Sequence, residues 1–254
     1  MVNALYIGCK MSYIKLQSVN VDFPIYNAKS RSLRGHILST IGGRIEQSHD
    51  RVVVRALSNI NLEINEGDRV AVIGHNGAGK TTLLRVLSGI YEPTAGSIEI
   101  KGKISSLTDI QLGMDAEATG YENILLRGIF MGMTPKEIEQ KAEEIIQFAA
   151  LEEFINMPLR TYSSGMYLRL AFAVSTCIEP EILILDEMIG VGDKNFMEKA
   201  KQRVSKLIGQ SKIMILSSHD TSLLQKFCNK AIYMKHGEIM ELGDINNVLE
   251  KVTI

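Results

Sequence analysis

Hydrophobic and polar positions follow two different periods along this chain, and the periods divide it into strands and helices. Within the first 110 residues, an imperfect alternation of apolar and polar residues and several branched apolar runs predict strands. The segments are "YIKLQSVNVDF" for a first strand, "VVVRALSNINLEI" for two short strands, "RVAVIG" for a buried strand and "GSIEIKGKISSL" for a hairpin-like pair. The first part of the chain is therefore predicted to be mainly β.

Helical periodicity dominates the middle of the chain, and strands return after it. Residues from about Thr119 to Cys177 are predicted to be mostly helical. The runs "EILILDE" and "KIMILSSH" predict buried strands on either side of a helix around residues 195–208. A terminal hairpin and a short helix from Ile245 close the pattern. This order predicts an α/β core sheet with an antiparallel β part and an inserted α-helical lobe.

Composition narrows the classes of protein to be considered. The chain has 254 residues, 45% of them hydrophobic, which is enough for a sizeable core in one large domain. Its formal net charge of −1 gives no overall basic field, so we expect no nucleic-acid partner. The chain contains no apolar run near the roughly 18 residues that a membrane span needs. The cysteines Cys9, Cys177 and Cys228 are odd in number and far apart, which suits buried thiols in a reducing compartment such as the cytoplasm.

One segment carries a phosphate-binding pattern. "GHNGAGKTT" satisfies G-x-x-x-x-G-K-[ST], and it follows a predicted strand and opens a predicted helix. Gly77 and Gly79 allow the backbone to direct its N–H groups at phosphate oxygens. We expect Lys80 to reach the β and γ phosphates and Thr81 to offer its hydroxyl to Mg²⁺. A plain glycine-rich turn would not explain the Lys-Thr pair in this register.

Three polar residues are predicted to lie at the ends of buried strands. Asp186 ends "ILILD" and suits a metal ligand, and Glu187 follows it in a position to orient an attacking water. His219 ends "IMILSSH" and is expected at the same sheet edge, where open α/β sheets bind ligands. Acidic pairs and lone histidines at strand ends are often structural, but a phosphate-binding loop in the same chain favours the functional interpretation.

The stretch "YSSGM", residues 162–166, opens a long apolar helical run. A serine hydroxyl at this place suits a helix N-cap. The same hydroxyls, together with unpaired N–H groups and the positive end of the helix dipole, also suit an anion. Both roles are compatible, so the pattern alone leaves the two interpretations open.

These motifs, in this order, resemble the nucleotide-binding domain of ABC transporters from about Met11 to Val252. The resemblance implies one domain over residues 1–254, with a P-loop NTPase core at about 12–110 and 179–243 and an N-terminal insertion at 27–51. It also implies a helical subdomain at about 111–178 and a closing helix at 244–254. ATP and Mg²⁺ would be the cofactors.

In that family, the signature turn of one subunit faces the ATP bound by another, so the resemblance implies a homodimer with composite sites. The implied catalytic residues are Glu187, His219, Lys80 and Gln111, and the implied metal-binding residues are Thr81, Gln111 and Asp186. The implied nucleotide contacts are Tyr26, Gly74, His75, Asn76, Gly77, Ala78, Gly79, Lys80, Thr81, Thr82, Ser163, Ser164, Gly165 and Asp193, of which Asp193 ends a D-loop-like "GVGD".

The run from Thr161 to Phe196 is similar to the ATPase subunits of bacterial polysaccharide exporters, which often carry Tyr-Ser-Ser-Gly-Met as their signature. This implies export of a lipid-linked glycan of O-antigen or capsule type. It also implies a separate integral-membrane permease in two copies, with this chain peripheral on the cytoplasmic face of the inner membrane. The alternative function is that of the ATPase subunit of another ABC transporter, either a drug exporter or an importer. A soluble ABC ATPase is a more distant alternative.

The sequence departs from the family pattern at the Q-loop, and two aromatic residues are candidates for the adenine contact. Gln111 in "TDIQLGM" is about one position from the usual Q-loop spacing, and Asp109 is the alternative for that role. For stacking on adenine, Tyr26 fits the exporter pattern best, and Phe23 is the second candidate; either ring also suits the core.

We also have expectations for the insertion at residues 27–51 and for the two ends of the chain. The insertion has a local excess of basic residues, including Arg31 and Arg34, which suits either an anionic membrane surface or a solvated helix face. The first ten residues match nothing in the family pattern, so Met11 is an alternative start to Met1. We expect no carbohydrate-binding domain after the closing helix.

Overall fold

The computed structural model describes residues 11–25, 44–48, 51–186 and 194–252. Tyr26, Glu187 and Asp193 lie outside the described residues, as do Cys9 and most of the insertion with Arg31 and Arg34. Their predicted roles therefore remain predictions. Within the described residues, no helix is both long enough and apolar enough to cross a membrane.

Ten strands form two sheets in the part of the chain that the structure describes. The first sheet has four antiparallel strands in the order β2-β3-β1-β5, and the second has six in the order β10-β9-β4-β8-β7-β6. The strands are β1 (Tyr13–Ile25), β2 (Arg44–Ser48), β3 (Arg51–Asn65), β4 (Arg69–Ile73), β5 (Ala95–Lys101), β6 (Ile104–Ser106), β7 (Ile182–Asp186), β8 (Ile213–Ser217), β9 (Lys230–Lys235) and β10 (Glu238–Asp244). The predicted fold class, with an antiparallel part beside a mainly parallel sheet, is confirmed.

Seven α-helices accompany these strands within the described residues. They are α1 (Lys80–Leu87), α2 (Gly120–Phe130), α3 (Pro135–Ala149), α4 (Ser164–Ser175), α5 (Lys194–Gln210), α6 (Thr221–Phe227) and α7 (Ile245–Lys251). Helices α2, α3 and α4 follow one another without an intervening strand and form the helical lobe. Thr119 and Thr134 start α2 and α3 through capping boxes, so the local sequence fixes both helix starts.

Two strand predictions were wrong in detail. The segment predicted as two short strands is the single strand β3, because Asn59 takes up a kink with φ 49° while pairing continues on both sides. Asn59 donates its backbone N–H to the side chain of Asn20, which stabilises the irregularity. The predicted hairpin of β5 and β6 does not form: β5 pairs with β1, whereas β6 pairs with β7 in the parallel sheet.

Apolar side chains fill both faces of the parallel sheet. One cluster lies between this sheet, α1 and the antiparallel sheet, and includes Leu16, Leu57 and Leu83. A second covers the opposite face, where Phe172 of α4 and Phe196 of α5 meet in an edge-to-face contact. Cys177 and Cys228 are buried as predicted, and burial raises the pKa of the Cys228 thiol to about 12.

The turn between β9 and β10 connects the two sheets to the loop that follows β4. Gly237 donates its N–H to the carbonyl of Ala78 at 2.9 Å and accepts the N–H of Ser58 at 2.9 Å. A Cβ on Gly237 would lie 2.6 Å from the backbone oxygen of Ala56, and the residue has φ +80°. Gly237 is therefore required both by its backbone conformation and by its neighbours.

We predict that Gly237→Ala lowers the free energy of unfolding more than Gly132→Ala does. Gly132 has the same φ of +80° but nothing within 4 Å of its would-be Cβ. In each variant, an alanine in the left-handed backbone conformation destabilises the folded state by about 1–2 kcal/mol. Only in Gly237→Ala does steric overlap with the neighbouring backbone destabilise it by about 1–3 kcal/mol more. Urea unfolding of both proteins measures the difference, and equal losses would contradict the steric argument.

Candidate functional site

The loop between β4 and α1 carries the phosphate-binding sequence and is packed too closely for side chains at two of its glycines. A Cβ on Gly74 would lie 2.4 Å from the backbone oxygen of Met234, and one on Gly79 would lie 2.9 Å from that of Ala56. Gly77 and Gly79 have φ values of 77° and 102°. These glycines therefore fix the course of the loop.

Helix α1 begins differently from its neighbours in the lobe. Its N-cap is Gly79, which offers no side-chain hydrogen bond to the first turn, whereas α2 and α3 each have a full capping box. No N-cap side chain therefore competes with an external acceptor for the N–H groups of the first turn, which lie at the positive end of the helix dipole. This is the arrangement that binds phosphate at a helix N-terminus.

Lys80 places its ammonium group inside the same loop. Its Nζ donates to the carbonyl of Gly74 at 2.7 Å and to that of His75 at 3.2 Å. The lysine is the first residue of α1 and half-buried, so the loop holds its charge beside the start of the helix. A negatively charged ligand would be bound both by the ammonium group and by these N–H groups.

The parallel strands bring the other polar residues to the same edge. Asp186 at the end of β7 pairs in register with Ser217 at the end of β8. The hydroxyl of Thr81 donates to the Asp186 carboxylate at 3.2 Å. A cavity of about 450 Å³ lies over this edge, lined by Asn76, Gly77, Ala78, Gly79, Lys80, Thr81, Thr82, Asp186, Ser217 and His219.

Thr81 and Asp186 suit Mg²⁺ by their chemistry. Mg²⁺ prefers oxygen ligands and uses one or two carboxylates together with substrate phosphates and waters. One hydroxyl and one carboxylate within hydrogen-bonding distance, beside a phosphate-binding loop, match that requirement. The residues that the structure describes contain no cluster of three or more His, Cys, Asp or Glu side chains for a metal held by protein alone.

Two predicted nucleotide contacts, Gly74 and His75, lie beside this cavity without lining it. They border a smaller cavity of about 280 Å³ together with Ser218, His219 and Tyr233. The His75 ring also makes an edge contact with His236, at a centroid distance of 5.2 Å. His219 borders both cavities and is exposed.

Ser163 and Ser164 of the signature turn are exposed on the helical lobe, and Gly165 is half-buried. None of these three predicted contacts lines the cavity of its own chain. Ser163 is the N-cap of α4 and accepts the N–H of Met166 at 3.2 Å, so the capping interpretation is confirmed. Tyr162 orients the turn, since its hydroxyl donates to the carbonyl of Phe154 at 2.8 Å.

The two Q-loop candidates have different surroundings. Gln111 is exposed and does not belong to the lining of the 450 Å³ cavity. Asp109 accepts two hydrogen bonds from Arg85, at 2.8 and 2.9 Å, and these bonds raise the pKa of the guanidinium group. Its carboxylate is thus held by α1, which does not match the role of a ligand in the cavity.

Phe23, the second adenine candidate, makes an edge contact with Tyr91 at a centroid distance of 5.4 Å and packs against the core. Ser217 also lines the cavity, although the sequence motifs did not indicate it. It is 1% exposed at the end of β8, so the rule that ligands bind at the carboxyl ends of parallel strands would have indicated it.

Three proteins similar in sequence to this chain are described as export ATP-binding proteins. The O-antigen export system ATP-binding protein RfbE of Yersinia enterocolitica is 46% identical over 91% of this chain and 98% of its own length. RfbB of Myxococcus xanthus, with a corresponding description, is 41% identical over 87% of this chain. The teichoic acids export ATP-binding protein TagH of Bacillus cereus is 37% identical over 94% of this chain. The chain spans only 52% of RfbB and 42% of TagH.

Solved structures agree in fold. A structure described as the dimeric MJ0796, a bacterial ABC transporter cassette, covers 91% of this chain and 98% of its own, with 25% identity and a TM-score of 0.62. A structure described as the ATP binding subunit of an ABC transporter covers 94% of this chain and 92% of its own, with a TM-score of 0.64 and 19% identity. The family model described as ABC transporter matches residues 57–190. The chain therefore belongs to the ABC transporter family and is one of its ATP-hydrolysing subunits.

Proposed function

We propose that this ATPase drives the export of a lipid-linked polysaccharide, of O-antigen or capsule type, across the bacterial inner membrane. The observation that carries the export proposal is the 46% identity to RfbE over 98% of that protein, whose description is an O-antigen export ATP-binding protein. The chain would act at the cytoplasmic face of the inner membrane, attached through a permease present in two copies.

At the site, residues of the loop, α1 and β7 would have different roles in binding the phosphates and the metal. The N–H groups of the loop and Lys80 would bind the phosphates, and Thr81 and Asp186 would hold Mg²⁺. Mg²⁺, when bound, neutralises charge on the phosphate oxygens. His219 would contact the terminal phosphate from the end of β8. Glu187 would align the attacking water or accept its proton, and Tyr26 would stack on the adenine.

The signature turn would complete the site of a second copy. Ser163, Ser164 and Gly165 are placed on the surface of the lobe, away from the lining of their own cavity. A hydroxyl and backbone N–H groups at the start of α4 suit the γ-phosphate of ATP held by a partner's loop. Asp193 would also lie at this dimer contact. Each ATP would then lie between two subunits, and its binding would favour a head-to-tail homodimer.

The permease would dock in a groove between the core and the lobe. A cavity of about 590 Å³ lies there, lined on the lobe side by Arg127, Phe130 and Met131. Next to it, α2 presents a set of exposed apolar side chains: Tyr121, Leu126, Ile129 and Phe130, which we call the α2 apolar surface. An apolar surface beside a groove that contains charged groups suits an amphipathic segment of a membrane protein.

In cells, we predict that Lys80→Ala abolishes the surface polysaccharide and causes lipid-linked glycan to accumulate inside the membrane. The substitution removes the charge that the loop holds at the phosphate site. A strain lacking the native gene, complemented with either version, is assayed by surface glycan staining and by analysis of lipid-linked intermediates. Normal surface glycan without the gene would exclude this export function.

We predict that Ser163→Ala and Ser163→Gly weaken ATP-dependent dimerisation equally in a Glu187→Gln background, where slow hydrolysis preserves the dimer. The two variants differ in how well they cap the helix. Replacing an N-cap serine by alanine lowers protein stability by about 0.5–2 kcal/mol, and replacing it by glycine lowers stability by only about a few tenths of a kcal/mol. Sedimentation with Mg·ATP measures dimerisation, and thermal unfolding measures stability. If dimerisation instead followed the stability ranking, the hydroxyl would act only as the cap of its own helix.

We predict that Ile129→Glu releases the permease, whereas Met240→Glu does not. Both side chains are 54% exposed, but only Ile129 belongs to the α2 apolar surface. A carboxylate there would have to be desolvated on docking, which is unfavourable. Co-purification of the tagged permease from membranes gives the measurement. Equal retention of both variants would place the contact elsewhere.

A further inference from the structure

The segment Leu107–Asp115, which we call the connector, links the core sheet to the helical lobe and contains Gln111. On the core side, its first residue donates a backbone N–H to the carbonyl of Ile184 on β7 at 2.9 Å. Two residues later, Asp109 accepts the Nε–H of Arg85 at 2.8 Å and the Nη2–H at 2.9 Å. The core end of the connector is therefore bound to both β7 and α1.

Arg85 is itself held in a defined position. It lies on α1, the helix that starts at the phosphate-binding loop, and also donates to the hydroxyl of Tyr91 at 3.1 Å. Its guanidinium carbon lies 5.5 Å from the centre of the Tyr91 ring. A two-bond contact between guanidinium and carboxylate fixes orientation as well as distance. The position of Asp109 is thus tied to that of α1.

The lobe end of the connector is bound by a second arginine. Arg127 of α2 is 3% exposed, donates to the carbonyl of Leu112 and lies 3.3 Å from the hydroxyl of Ser175. Burial lowers the pKa of this guanidinium group to about 10. The backbone N–H of Asp115 donates to the side chain of the buried Asn123 at 2.7 Å.

Only Ile110 and Gln111 separate the two bound ends. Ile110 is buried, while Gln111 is exposed at a turn closed by bonds from Leu112 to Asp109 and from Met114 to Gln111, at 3.1 and 3.3 Å. Gln111 therefore lies where the part of the connector bound to the core meets the part bound to the lobe. A movement of α1 relative to α2 would change its position.

We propose that Arg85 and Asp109 are positioning residues for Gln111. Their ion pair makes the core end of the connector follow α1, so that binding at the phosphate loop sets the position of the glutamine. Neither residue touches ATP in this scheme. The inference rests on the proposed role of Gln111 in hydrolysis and assigns to Asp109 a role other than that of a second Q-loop ligand.

The first test measures ATP turnover by the purified chain in a cycle of Asp109→Asn, Gln111→Ala and the double variant. We expect each single variant to lower kcat between about tenfold and about 10²-fold, the scale of misplaced catalytic groups. The KM for ATP stays near the wild-type value. Because Asp109 acts through Gln111, the double variant should be no slower than Gln111→Ala alone. Losses that multiply in the double variant would overturn the proposal.

The chain offers a matched control for the ion pair. Arg55 and Asp22 also form a two-bond contact, and their side chains are 30% and 26% exposed, against 32% and 28% for Arg85 and Asp109. Asp22→Asn should leave kcat unchanged. Arg85→Lys keeps the charge and the fold but loses the paired geometry, so it should also lower kcat. Full kcat in Arg85→Lys, or an equal loss in Asp22→Asn, would contradict the positioning role.

The second test does not depend on hydrolysis. The chain has no tryptophan, so Leu112→Trp introduces a single indole in the connector. We expect a non-hydrolysable ATP analogue with Mg²⁺ to shift its emission, and expect this shift to disappear when Asp109→Asn is added although the analogue still binds by equilibrium dialysis. An undiminished shift would contradict the inference. Absence of turnover in the wild-type protein would instead contradict the proposed function.

Discussion

The structure depends on how closely the phosphate-binding loop packs against strands of both sheets. Gly74 lies against the backbone of Met234 in β9, and Gly79 lies against that of Ala56 in β3. Gly237 then bonds Ala78 from the turn after β9. With backbone on both sides, the N–H groups of the loop are oriented before any phosphate arrives. Such preorganised dipoles need no rearrangement during the reaction and so contribute most to catalysis.

The register of the parallel strands positions the other site residues relative to this loop. Val72 of β4 and Asp186 of β7 both pair with Ser217 of β8, so neighbouring strands end at the same level. The carboxylate thereby reaches the hydroxyl of Thr81 without a long flexible side chain. The core sheet therefore positions the phosphate-binding loop beside Thr81 and Asp186, whereas the lobe carries the signature turn.

Sequence patterns predicted the parts that depend on local chemistry. The glycine spacing, the strand-end carboxylate and the cap at Ser163 each act within a few residues, so a single segment reveals them. The pairing partners of β5 and β6 were mispredicted because alternation identifies a strand but not its neighbour. Gly102, with φ +129°, redirects the chain between them, and the Lys103 carbonyl that follows accepts N–H groups from Glu181 and Ile182. These contacts join distant parts of the chain.

The surroundings of Gln111 also depend on contacts between distant parts of the chain, which the local sequence pattern does not reveal. The spacing of Gln111 from the phosphate-binding loop departs from the family pattern by about one position, and spacing alone left Asp109 as an alternative. The two residues differ in their contacts, because Arg85 binds the carboxylate of Asp109 while Gln111 is exposed between two bound ends, and neither residue lines the 450 Å³ cavity. Because anchors on α1 and α2 determine where Gln111 lies, a difference of one position along the chain is compatible with the role proposed for it. Family spacing is thus a weaker guide in a connector between two bodies than in a loop fixed by backbone contacts.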